Sequence, residues 1–146
     1  MPTGMGALCV FGRAMAAVKI VKVSDEGRVY GWASVIKTAD GTDVVDLQGD
    51  VIEPAELEKA LTNYMLHHRA SGVMHEGEPV GTVIEAAMIS PERLQAMGFE
   101  DEMAKRSPTG VWVGMQLDPA SQTFAEVKSG KLAMFSIQGR AVRQEC

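Results

Sequence analysis

Two hydrophobic periods divide this chain. From Ala17 to Val23, Val18, Ile20 or Val21, and Val23 are interleaved with Lys19 and Lys22. A mostly period-2 run rich in β-branched residues predicts a strand, because successive side chains of an extended backbone point to opposite faces. Ser24-Asp25-Glu26-Gly27 supplies turn chemistry, and the apolar pattern resumes from Arg28 to Lys37 through Val29, Tyr30, Trp32, Val35 and Ile36. The two runs should therefore pair as a hairpin. A second turn is expected at Ala39-Asp40-Gly41, and Asp43 to Ile52 reads as two short β-prone pieces interrupted at Asp46 and at Gly49-Asp50. The period then becomes helical, because Leu57, Leu61, Tyr64, Met65 and His68 recur at i, i+4, i+7, i+8 and i+11. This predicts an amphipathic helix from Pro54 to about Ala70, with Pro54 early in its first turn, Glu56 near its positive end and Ser71-Gly72 closing it.

Beyond that helix, Val73-Met74-His75 is extended and Glu76-Gly77-Glu78-Pro79 is a turn. Val80 to Ile89 is apolar on both alternating faces, as in a strand covered on both sides, and Glu85 is the odd residue in it. Ser90-Pro91-Glu92 combines a capping hydroxyl, a proline at the first helical position and an acid in the first turn, so a short helix should run to about Met97 before Gly98 stops it. Phe99 to Thr109 is charged and aperiodic, which predicts a loop. A strand follows over Gly110 to Leu117, a brief helix from about Ser121 to Lys128, and a final strand from Lys131 to Arg143. The fold class expected is α+β and mainly β, a small bent sheet or barrel of six to seven strands with about three peripheral helices. Residues 1–16 read as an N-terminal extension and residues 17–146 as a single domain.

Composition narrows the function. At 146 residues and 46% hydrophobic content the chain can bury one real core. With 19 acidic against 14 basic side chains, its net charge of -5 provides no broad cationic surface for a phosphate backbone, so nucleic acid is not an expected partner. Cys9 and Cys146 stand near opposite termini in no metal-ligand spacing, which suits a reducing compartment. In the apolar opening, Arg13 follows the short run Ala7 to Phe11, and nothing approaches the roughly 18 apolar residues of a membrane span. Neither a signal peptide nor a membrane partner is expected.

The candidate chemistry lies in two short stretches, Val73-Met74-His75-Glu76-Gly77 and Ala133-Met134-Phe135-Ser136-Ile137-Gln138-Gly139-Arg140. Each places one chemically capable side chain inside an apolar run. A serine hydroxyl is a poor nucleophile at neutral pH and needs an imidazole to take its proton, so Ser136 and His75 are the candidate pair. The bland alternatives are a serine that bonds to backbone and a histidine satisfied at a strand end. His67 and His68 read as rim or core residues of the helix, and a metal site built from His67, His68, His75 and Asp50 matches no recognised ligand spacing. No metal or cofactor is expected.

Taken in order, Tyr30-Gly31-Trp32-Ala33, Asp46 to Pro54, Met74-His75-Glu76-Gly77, Val80-Gly81, Trp112-Val113-Gly114 and Phe135-Ser136-Ile137 resemble the XkdF-like branch of the tailed-phage prohead proteases, over roughly Val29 to Arg143. That group is similar to the herpesvirus assemblin fold, a β-barrel ringed by helices. The resemblance implies cleavage of scaffold and capsid proteins during procapsid maturation, with His75 as general base and Ser136 as nucleophile. It also implies capsid and scaffold proteins as partners, self-association as a homo-oligomer, and a place in the host cytoplasm within or on the assembling procapsid or virion.

Relatives carry a third acid on a strand after the serine, whereas the only acid following Ser136 in this sequence is Glu145. Glu85 is the leading substitute, because a carboxylate inside an apolar strand needs a partner and an imidazolium at His75 could supply one. A salt bridge from Glu85 to Arg140 or Arg143 is the competing reading, and Asp46 and Asp50 are further candidates for the acid. Backbone amides near Gly139 or Arg140 are the expected oxyanion donors. Two functions follow: a serine endopeptidase, or a protease-like assembly component that binds capsid or scaffold protein without cutting it.

Overall fold

The main sheet begins at the turn expected after Val23. The structure, a computed structural model, describes residues 4–11, 20–45, 49–67, 73–75, 78–132 and 134–140, with backbone alone at 4–11, 73–75, 78–80 and 134–140. The Ser24 N–H donates to the Arg28 carbonyl at 2.9 Å, and the Gly27 N–H to the Ser24 carbonyl at 3.1 Å. Gly27 takes a φ of 90° and lies so close to β-strand backbone that an added Cβ would sit 2.3 Å from the Leu117 carbonyl oxygen. Glycine is what both that dihedral and that approach require.

The turn joins β2 (Ile20–Val23) to β3 (Arg28–Lys37) as the antiparallel hairpin expected. The other elements are β1 (Gly4–Phe11), α1 (Pro54–His67), β4 (Val73–His75), β5 (Glu78–Ile89), α2 (Pro91–Ala96), α3 (Asp101–Ala104), β6 (Thr109–Leu117), α4 (Gln122–Lys128) and β7 (Met134–Arg140). β2, β3, β6 and β5 form a four-stranded antiparallel body, extended at one edge by the three-residue β4. β1 and β7 pair with each other in a separate two-stranded ribbon.

The fold is therefore α+β, but neither a barrel nor one sheet of six to seven strands forms among the described residues. The larger sheet is open. Its edge strands are short: β2 covers β3 only from Val29 to Gly31, and β4 covers β5 only from Glu78 to Gly81. Beyond those short pairings, β3 from Trp32 and β5 from Thr82 carry no further strand on their outer edges among the described residues, so no ladder closes the sheet. The β1–β7 ribbon instead lies beside β3 and β4 without joining their ladder.

α1 follows its predicted period. Leu57, Ala60, Leu61 and Tyr64 are buried, Met65 is partly buried, and these side chains pack on Val29, Ala33, Val111, Val113 and Met115 of the sheet, while Phe124 and Val127 of α4 complete the core. His68, the last apolar-face position of the pattern, lies outside the described residues. The cap read at Ser90 is present, its hydroxyl accepting from the Arg93 N–H at 3.1 Å, and the structure adds a second at Ser121, whose hydroxyl accepts from the Phe124 N–H at 3.1 Å. One helix was not expected, because α3 forms in the segment read as a loop. Asp101 and Glu102 favour its first turn and the fully buried Ala104 anchors it, which a search for a sustained apolar period misses in so short a helix.

The turn after β3 is drawn tight by Asp40. The Thr38 hydroxyl donates to this carboxylate, and the Thr42 N–H donates to it at 3.0 Å. Bonds from Thr38, then Thr42, hold its pKa down to about 2, against an ordinary value of 3.8. A depressed acid stabilises the fold above its unfolded pKa and loses that contribution as pH falls through its folded one. The Asp40 contribution should thus be intact above about pH 4 and fade toward pH 2. A carboxyl NMR titration checks this, and a midpoint at or above 3.8 would contradict the bonding seen.

Candidate active site

Ser136 lies inside β7, where the ladder with β1 sets it opposite Cys9, with Phe135 opposite Val10 and Ile137 opposite Leu8. His75 is the last residue of β4, opposite Glu78 at the start of β5, next to the pairing of Met74 with Pro79. β1 links the two strands, because it pairs with β7 and also lies beside β4. β1, like α3, was not expected from the sequence. Gly4–Phe11 falls in the stretch read as an N-terminal extension, and its apolar run alone gave too little alternation to mark a strand.

The ladder separates Glu85 from His75. His75 stands opposite Glu78, and the stretch of β5 from Glu78 to Glu85 spans roughly 20 Å at the rise of an extended chain. That exceeds the combined reach of the two side chains, so Glu85 does not fit as the acid that orients His75. The premise that gave it the role also fails: β5 is not covered on both faces, since Glu85 is exposed and neighbouring Ile84 is 47% exposed. A solvated carboxylate needs no buried partner. Among the described residues Glu85 forms no ion pair.

Extended backbone has the same consequence for the oxyanion donors. β7 is continuous through Arg140, which places Gly139 roughly 10 Å along the strand from Ser136. A donor must lie about 3 Å from the oxyanion, so Gly139 and Arg140 do not suit that task. Of the other acids considered, Asp50 is half-buried just after the positive-φ Gly49, while Asp46 and Glu145 lie outside the described residues, as do Arg143 and Glu76. His67 is exposed in the last turn of α1.

The family model described as "Putative phage serine protease XkdF" matches residues 17–145. The chain belongs to this phage serine protease family. The match takes in both the His75 and the Ser136 stretches. No curated protein and no solved structure matches the chain. Among the described residues of this phage protease, no helix is long and apolar enough to cross a membrane.

Proposed function

We propose that this chain is a capsid-maturation serine endopeptidase that cleaves scaffold and capsid precursor proteins, with Ser136 as nucleophile and His75 as general base. The reading is carried by the family match over residues 17–145. It is supported by the position of β1, which adjoins both the strand of Ser136 and the strand of His75.

In this mechanism the His75 imidazole takes the Ser136 hydroxyl proton as the oxygen attacks the scissile carbonyl. The resulting imidazolium returns the proton to the leaving amine, and water, deprotonated in turn by His75, releases the acyl-enzyme. Backbone amides outside the Gly139–Arg140 end of β7 hold the oxyanion. The site of action is the assembling procapsid in the host cytoplasm, and the partners are capsid and scaffold proteins.

Co-expression with the precursor substrate, followed by mass spectrometry of the products and labelling with a serine-directed phosphonate, tests the reading. Specific cleavage with the label on Ser136 supports it. An intact precursor with Ser136 unlabelled, while the protein still binds capsid shells, leaves the non-cleaving assembly component in its place.

The ten methionines suit adaptable contacts, and Met97 and Met103 are each 62% exposed, so self-association is also proposed. Light scattering should show a mass above the monomer at micromolar concentration. A strict monomer throughout that range would remove this part of the proposal.

A further inference from the structure

Alternation along β3 sends Val29 and Ala33 into the helical core and leaves Tyr30 and Trp32 on the opposite face of the sheet. On that face the register aligns Lys22, Tyr30, Gly114 and Glu85 as one rung across β2, β3, β6 and β5. Trp32, Trp112 and Ala87 form the next rung. Both tryptophans of the chain and one of its two tyrosines therefore stand together, all half-buried. The Trp32 and Trp112 rings meet edge to face, with centroids 5.6 Å apart at 89°.

Gly114 shapes the floor. A Cβ there would lie 2.7 Å from Glu85 Cγ and 2.8 Å from Tyr30 Cε1, so the Glu85 stem and the Tyr30 ring both lean over bare backbone. Lys22 already holds its ammonium 5.7 Å from the Tyr30 ring centroid at the β2 end of the rung. Arg28, one rung further along, is engaged by Glu26 at 3.4 Å. At the β5 end, the exposed Glu85 carboxylate pairs with no described residue.

We propose that this face binds an arginine side chain presented by an extended segment of a partner polypeptide. A guanidinium is planar, weakly hydrated and rich in donors, so it can lie against the aromatic rings while donating to the Glu85 carboxylate. The charge is complementary, since the exposed Glu85 carboxylate at the β5 end of the rung has no partner among the described residues and the whole chain carries -5. The inference goes beyond the protease reading, because occupancy of this face does not depend on Ser136 acting. If that reading holds, the segment belongs to the precursor.

The two tryptophans make the face its own reporter. Full-length protein carrying Ser136→Ala is titrated with a blocked Ala-Ala-Arg-Ala-Ala peptide up to millimolar concentration, followed by tryptophan emission and calorimetry. Saturable binding is expected, weakened by added salt and weakened at least about tenfold by replacing arginine with uncharged citrulline. Glu85→Gln should weaken it by a similar factor, and Gly114→Ala, whose methyl group displaces the Glu85 stem, should weaken it as well, with circular dichroism confirming that each variant is folded. Equal binding of the citrulline peptide, unchanged binding by Glu85→Gln, or no binding by either readout would overturn the proposal. Precursor cleavage is scored separately in the wild type, so loss of the protease reading and loss of this one give different results.

Discussion

Ser136→Ala and His75→Ala are each expected to abolish precursor cleavage while leaving secondary structure and thermal midpoint nearly unchanged. The hydroxyl and the imidazole act as one unit: without the base the serine stays protonated, and without the serine the base has nothing to activate. Each loss should therefore reach on the order of 10⁴-fold or more, and the double variant should be no worse than either single one. Mass spectrometry of co-expressed precursor gives the extent of cleavage, and circular dichroism gives the state of the fold. Additive losses, or full cleavage by Ser136→Ala, would show that these two residues are not nucleophile and base.

Leu61→Asp should unfold the protein. Leu61 is 8% exposed and packs from α1 onto the sheet core. Removing such a side chain costs about 2–5 kcal/mol, and leaving a carboxylate without a partner in its place adds several more. Small domains hold only about 5–15 kcal/mol in total. Leu66→Asp is the internal control: Leu66 lies on the same helix but is 72% exposed, so the same change should cost less than about 1 kcal/mol. Urea melts of the two variants should differ accordingly. A cooperative, native-like transition for Leu61→Asp would show that α1 does not pack as the core describes.

The elements legible in the sequence were those specified by residues only a few positions apart. The spacing of Leu57, Leu61 and Tyr64 marked α1, the serine at Ser90 followed by Pro91 marked the start of α2, and the alternation from Arg28 to Lys37 marked β3 to the residue. Helical period, capping and strand alternation act over one or two turns of backbone, so they survive in a linear reading. The family resemblance likewise came from ordered short boxes, and the match over residues 17–145 supports it at the level of a phage serine protease family.

What the sequence by itself determined was thus the α+β class, most element positions and the identity of Ser136 and His75 as candidates. Tertiary structure decided which strands became neighbours. Gly4–Phe11 became a strand by pairing with Met134–Arg140, Trp32 met Trp112 across β3 and β6, and Glu85 came to stand over Gly114 instead of within reach of His75. These outcomes depend on register between segments far apart in the chain. A one-residue slip turns every side chain of a strand to the other face, and no local propensity carries that choice.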